Sequence, residues 1–457
     1  MNLEIKNPST LSELSALIAE KKPILLTGAK TGTVIPYDKL SEILSDRDGD
    51  LRCVSTQNLP AQIRLCTESS TSSSADVEVE GSVSWADLRQ FLRSKGLDLK
   101  VSPTEELAQV CAGAATSCTG ELSFAYGAFR DQVVEIDFID SAGRLHTLRS
   151  SENLRNFSVL EAIDTDLWDK YDRDYSDFKQ FKNAPFPRYE KSTDLMIGSE
   201  GQFGAITRVR LKTRPMKKSI FLGLSLGSSW LNDMSAHREV FYKLQELRGE
   251  VLSVELIDTH SLQHTDFFCK DEDLLLLEVL EESFEKIYEY FLSQLENIAP
   301  NQIFELNEGQ QRHLRAAVPR WIQEEISRHH VVKVGTDTQF RAENFDRAVE
   351  LYRKLANNHD IPIALFGHFG DLHLHFNFLV KNETQKTYAE KLLESFYSDV
   401  ALLKGSPFTE HGIGLLKQKY LDIFYGQTQK KFLSELKKCL DPENIFFPLG
   451  HFSKENP

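Results

Sequence analysis

The chain has 457 residues, 41% hydrophobic and 26% charged, with a formal net charge of −15. That length exceeds one compact core and predicts two or three packed units. The acidic balance argues against non-specific nucleic-acid binding and against docking on anionic lipid, although a local basic cluster can still hold a small anion. Charges interrupt the first residues, and no stretch reaches about 18 uninterrupted apolar residues, so neither a secretory leader nor an integral membrane segment is expected. Cys53, Cys66, Cys111, Cys118, Cys269 and Cys439 form no CxxC pair. Scattered thiols of this kind fit a reducing, cytoplasmic setting.

The first ~25 residues read as helix then strand. Thr10 and Glu13 make a capping-box pattern ahead of Leu14, Leu17 and Ile18. A short apolar strand, 23–26, runs into the small-residue stretch Thr27-Gly28-Ala29-Lys30-Thr31-Gly32-Thr33. Residues 68–76 read as a Ser/Thr-rich loop and 77–80 as an alternating strand. Ser84 and Asp87 repeat the capping box before a helix with Trp85, Leu88, Phe91 and Leu92 on one face, stopping at Gly96. Residues 132–148 read as strand, turn, strand around Ser141-Ala142-Gly143, and 150–192 as an acidic, aromatic-rich irregular stretch. Strand character returns over 195–212, and a boundary is expected at Pro215. Strands are predicted at 219–226, 251–258, 273–279, 331–334, 362–366 and 373–380, alternating with amphipathic helices such as 282–298. The pattern is α+β, an antiparallel sheet with helices on one face. From 384 the chain reads as mostly helical.

Three small-residue segments are candidates for cradling an anion with backbone N–H groups. They are 27–33, Cys111-Ala112-Gly113-Ala114-Ala115-Thr116-Ser117-Cys118-Thr119-Gly120 followed by Tyr126-Gly127, and Gly198-Ser199-Glu200-Gly201-Gln202-Phe203-Gly204. None is a Walker loop or a GxGxxG opening a βαβ unit, and tight turns would explain each singly. A second constellation is His368-Phe369-Gly370-Asp371-Leu372-His373-Leu374-His375-Phe376-Asn377. His368 and His375 would lie on opposite faces of a straight strand, but a turn at Gly370-Asp371 would fold them together. Spacing fits either a metal set completed by a distant carboxylate or ordinary strand histidines. A third is Thr409-Glu410-His411-Gly412-Ile413-Gly414, which by itself reads as a glycine-rich bend.

The segment 198–207 closely resembles the GSEGTLGVIT signature of the FAD-linked oxidases of the vanillyl-alcohol-oxidase superfamily. Tyr126-Gly127-Ala128-Phe129-Arg130-Asp131 is similar to that family's YGxxRD, and 27–33 to its first pyrophosphate loop. The histidine segment and the Glu410 segment resemble HxGDGNLHxN and EHGIG of its D-2-hydroxyacid dehydrogenase subgroup. Arg315-Ala316-Ala317-Val318-Pro319, Lys333 and Leu440-Asp441-Pro442 resemble its REAxP, KxDxS and LDP segments. The resemblance implies an α+β fold: a two-lobed PCMH-type FAD-binding domain (1–215), a substrate or cap domain with an antiparallel sheet (216–395), and a helical segment returning to the FAD domain (396–457). It also implies non-covalent FAD held by Thr27, Gly28, Ala29, Lys30, Thr31, Gly32, Thr33, Gly113, Thr116, Ser117, Gly120, Tyr126, Gly127, Gly198, Glu200, Gly201, Gly204 and Ile206. A divalent metal, Zn or Mn, would be held by His368, His375 and Glu410. His411 would be the base, with Arg315, Lys333 and Asn377 on the substrate, and His373 in a supporting role.

The implied reaction oxidises a small D-2-hydroxy acid of the D-lactate, glycolate or D-2-hydroxyglutarate type to the 2-oxo acid. Hydride passes to FAD and then to an acceptor left open: quinone, cytochrome, electron-transferring flavoprotein or oxygen. The rivals are a metal-independent oxidase of the same superfamily and a non-catalytic flavin-binding subunit. The chain departs from the family's pattern at Leu372-His373, at Ser117-Cys118-Thr119-Gly120, at Gly335-Thr336-Asp337, at Pro185-Phe186-Pro187, and at Phe447-Pro448-Leu449-Gly450-His451.

Overall fold

The computed structural model describes residues 2–43, 50–66, 75–267, 271–357 and 360–452. Cys269 and most of the expected Ser/Thr loop at 68–76 lie outside these. Three sheets organise the described residues. The first is parallel: Asp50–Ser55 lies between Asn2–Lys6 and Ile24–Thr27. Asn2–Lys6 went unread in the sequence, although Leu3 and Ile5 alternate with polar neighbours as a strand requires. The second sheet runs Gln62–Cys66, Asp76–Glu80, Ala205–Pro215, Val133–Ile139, Leu145–Arg149, with Leu97–Leu99 also on Ala205–Pro215. Ser84 and Asp87 form the expected reciprocal box, whereas at the first helix only half of it forms: Thr10 accepts from Glu13 N, and the Glu13 carboxylate accepts from Ser9 N.

The third sheet is antiparallel and carries the candidate site. Its order is Ile303–Leu306, Ser219–Ser225, Leu274–Leu280, Val251–Ile257, Ile363–His368, His373–Val380, Val332–Gly335, with Thr338–Gln339 also on His373–Val380. All six predicted strands of this region are present. The expectation of helices on one face is corrected. Leu275, Leu277 and Val279 join a core with Val240, Phe241, Ile287 and Tyr352 on one side, while Leu274 and Leu276 pack against Leu314, Val318 and Ile322 of the helix Glu308–His329 on the other. A strand buried on both faces has no polar face to alternate, which is why Leu274 to Leu277 reads as a continuous apolar run.

The stretch 150–192 is more ordered than its sequence implied. Asp164 caps a helix, Thr165–Tyr175, by accepting from Asp166 N and Leu167 N. Its Leu167, Trp168, Tyr171 and Tyr175 share a core with Phe432, Leu433 and Leu436 of the terminal helix Gln427–Leu440. Tyr171 stacks on Phe432 with ring centroids 4.2 Å apart. The chain then runs through Lys182 and Asn183, both buried, where Lys182 N donates to Gln339 of the third sheet and Asn183 Nδ2 donates to Ser117 O.

Candidate active site

The hairpin Ile363–His368 to His373–Val380 builds the centre. His368 pairs directly with His373, and Phe366 with His375, so the turn Phe369–Asp371 does fold His368 and His375 together. Their ring centroids are 5.8 Å apart, with the His373 ring 5.1 Å from His368 and 4.8 Å from His375. The turn closes with Leu372 at φ +50°, a left-handed conformation that costs a side-chain-bearing residue about 1–2 kcal/mol. His373, His375 and Asn377 share one strand face, as period two requires. The Asn377 side chain lies against Gly335, where a Cβ would collide with its amide.

Asp337 ties the 409–414 bend to this face. One carboxylate oxygen accepts from Glu410 N at 3.1 Å, His411 N at 2.9 Å and Lys417 Nζ at 3.3 Å. The other accepts from His373 Nε2 at 2.9 Å and stands 3.7 Å from the Nδ1 atoms of His375 and His411. Burial would push this carboxyl up, but His411, Lys417 and His373 outweigh it and hold it well below the usual range. The His375 and His411 rings stack 4.9 Å apart. Although 37% of the His411 side chain reaches solvent, the packing around it lowers its pKa to about 4, so it is neutral near pH 7. Lys333, on Val332–Gly335, has its pKa lowered by burial and then by Lys417.

Around His368 the charges are paired. Its Nδ1 is 2.7 Å from Glu255 and its Nε2 is 3.0 Å from Glu410. Burial would lower its pKa, yet Glu255 and Glu410 raise it to about 10, so the ring is an imidazolium donating on both sides. Lys182, whose importance no motif signals, places its ammonium 3.1 Å from Glu410 Oε1, 3.4 Å from Asp371 and 3.3 Å from His373 Nδ1. Arg315 is not free for a substrate carboxylate: it pairs with Glu121, beside Glu255.

The expected donors His368, His375 and Glu410, with His373, converge within 4.8 Å of one another. They do not fit a divalent ion as arranged. A ligating group must present a free lone pair, whereas the Lys182 ammonium stands on Glu410 Oε1 and His373 Nδ1, and Glu255 and Glu410 already occupy the two nitrogens of His368. Only the His375 ring keeps a buried nitrogen, Nδ1, without a hydrogen-bond partner.

The three small-residue loops lie side by side. Gly28 abuts Ala112 and Gln109, where a Cβ would come within 2.9 Å, and Gly198 abuts Ser117. Gly198 N and Glu200 N donate to Ala114 O and Ala115 O. Ser117 Oγ, Ser199 Oγ and His451 Nε2 are buried without a hydrogen-bond partner, on or beside the third loop. Orphaned polar atoms beside close-approach glycines fit a polar cofactor such as FAD. Other expected contacts serve packing instead. Gly113 presses on Cys118 and Trp85, Gly204 on the Ile139 carbonyl, and Gly201 on Leu26. Ile206 pairs with Phe138 in the sheet. The Arg214 guanidinium sits over the Tyr126 ring, and Gly127 N caps onto Ser123 O. Glu200 accepts from Ile413 N and Gly414 N, and Gly120 N donates to Glu410 at 2.9 Å, so the loops meet the 409–414 bend directly. Lys30, Thr31, Gly32 and Thr33 are exposed, Thr27 is buried, and Thr116 Oγ1 bonds back to Ala112 O and Gly113 O.

A family model described as "FAD binding domain" matches residues 53–149, and one described as "FAD linked oxidases, C-terminal domain" matches 232–449. The chain is 22% identical to a mitochondrial D-lactate dehydrogenase [cytochrome] of Kluyveromyces lactis, covering 82% of this chain and 61% of that one. A D-lactate dehydrogenase of Anaerostipes hadrus is 24% identical over 81% of this chain and 75% of its own length. The glycolate oxidase subunit GlcD of Bacillus subtilis is 23% identical over 58% and 57%. The chain thus spans about 61% of the length of the first of these relatives. The fold matches a solved alkyldihydroxyacetonephosphate synthase with TM-score 0.63 at 13% identity, over 97% of this chain and 75% of that one. Among the described residues no helix is long and apolar enough to cross a membrane. The chain belongs to the FAD-linked oxidases.

Proposed function

We propose that the chain binds FAD non-covalently through residues 1–215, uses 216–395 as the substrate cap with 396–457 returning to the FAD domain, and oxidises a small 2-hydroxy acid to the 2-oxo acid. The observation that carries this is the meeting, around Asp337, of His375, His411, Lys417 and the nearby Lys333 beside loops that suit a dinucleotide. When bound, FAD supplies the redox chemistry by accepting the C2 hydride. The chain's own residues do the rest. Lys333 and Lys417 offer two ammonium groups for the substrate carboxylate. His411, neutral at working pH, takes the 2-hydroxyl proton, and Asp337 stabilises the imidazolium that results. Arg315 orders Glu121 rather than gripping substrate.

The test is to load the chain with FAD and mix it anaerobically with D-lactate, glycolate, D-2-hydroxyglutarate and D-malate. Bleaching of the flavin band by at least one acid supports the reading, and an unchanged spectrum with all four removes it. One observation favours a second reading, the non-catalytic subunit. Asn183 Nδ2 bonds both Ser117 O and Thr409 O, and Gly120 bonds Glu410, stitching the second loop to the 409–414 bend. A flavin that binds but stays oxidised in the same experiment selects that reading.

A further inference from the structure

We propose that the Lys182 ammonium stands in for a divalent cation among His368, His373 and Glu410, so that these donors hold no metal. The inference deepens the proposed function, on which it rests for the role of the cluster, by removing a metal from these donors.

The argument is one of donors and charge. An ammonium has three N–H donors and no lone pair. Lys182, with 3% of its side chain exposed, directs them at Glu410 Oε1 and His373 Nδ1 and stands 3.4 Å from Asp371 Oδ2. The lysine is built in, since its backbone N donates to Gln339 Oε1 at 3.0 Å. By accepting from Lys182 at Nδ1, His373 must carry its proton at Nε2, where it donates to Asp337. Glu410 is shared among Lys182, His368 and Gly120 N. Asp371 is further held by Ser123 Oγ at 2.5 Å and by Arg248 at 3.4 Å.

The two carboxylates that Lys182 touches therefore already face a resident cation: Glu410 faces Lys182, and Asp371 faces Lys182 and Arg248. A dication added here would have to expel the ammonium, because buried like charges at such separations repel strongly. Without Lys182, the same donors would be left with uncompensated negative charge and free lone pairs, which is what a divalent ion requires.

The experiment measures metal, with no substrate present. The FAD-loaded full chain is dialysed against buffer, its Zn and Mn content is measured, and it is then titrated calorimetrically with Zn²⁺ and with Mn²⁺. The expected result is metal far below equimolar and no saturable binding. A chain that retains equimolar metal, or takes it up saturably, overturns the proposal. Lys182→Met, which keeps the bulk and removes the donors, is expected to gain saturable Zn²⁺ binding that Glu410→Gln in the same chain abolishes, whereas Lys182→Arg stays metal-free. If Lys182→Met does not fold, the parent's metal content decides alone. Failure of every 2-hydroxy acid to bleach the flavin would sink the proposed function and leave this result standing.

Discussion

His411 is where the proposed chemistry and the geometry of the site coincide most closely. Its ring is neutral, stacked on His375, and 3.7 Å from the carboxylate that would stabilise its protonated form. Removing a positioned general base typically costs 10²–10⁴-fold. His411→Ala is therefore expected to slow anaerobic flavin reduction by about that factor while FAD content stays at the parent level. A variant that reduces its flavin at the parent rate would remove His411 from the reaction. His451 offers a test of the buried environment by the third loop. Burial lowers its pKa to about 3, whereas an unfolded histidine titrates near 6.5. Below about 6.5 the unfolded chain takes a proton that the folded chain refuses, so stability falls with pH by up to ~1.4 kcal/mol per unit down to about 3, and nothing changes above 6.5. His451→Gln is expected to flatten that slope in urea titrations run at successive pH values. An unaltered slope would mean that the histidine titrates freely in the fold.

The hairpin that assembles the histidines stores backbone strain at Leu372, and sets it against burial. Leu372 is 1% exposed and packs in the main core of the third sheet. Leu372→Gly would recover about 1–2 kcal/mol from the left-handed φ and forfeit about 2–5 kcal/mol of buried side chain. A net loss of up to about 4 kcal/mol is expected in urea unfolding, and a gain would show that the turn, not the core contact, dominates. The turn itself was readable, because Gly370-Asp371 between apolar strand residues is turn chemistry. The helix Thr165–Tyr175 was not read, although Asp164 and the spacing of Leu167, Trp168, Tyr171 and Tyr175 signal it. Six acidic and basic residues lower its apolar content enough to resemble a loop, namely Asp166, Asp169, Lys170, Asp172, Arg173 and Asp174.

Across the whole molecule, what could be read was what is local. The strands of the third sheet announce themselves through apolar runs, and the bend at 409–414 through its glycines. The partners that decide the site's charge do not. Lys182 lies 191 residues from His373 and 228 from Glu410, in a stretch with no motif of its own. Glu255 is 113 residues from His368, on a strand otherwise read only for its burial. Arg315 matched a substrate-binding pattern by its neighbours in sequence, and its ion pair with Glu121 appears only when the two lobes close on each other. Periodicity shows which face of an element is buried, whereas pairing across lobes depends on topology that spacing does not encode. The measurement that bears most directly on the account is an anaerobic single turnover of the FAD-loaded chain, using whichever 2-hydroxy acid bleaches it fastest, with hydrogen or deuterium at C2. Slower bleaching with deuterium is the predicted result, because the C2–H bond breaks as the flavin is reduced. Equal rates, with FAD bound and chemistry shown to limit the step, would contradict hydride transfer at this site.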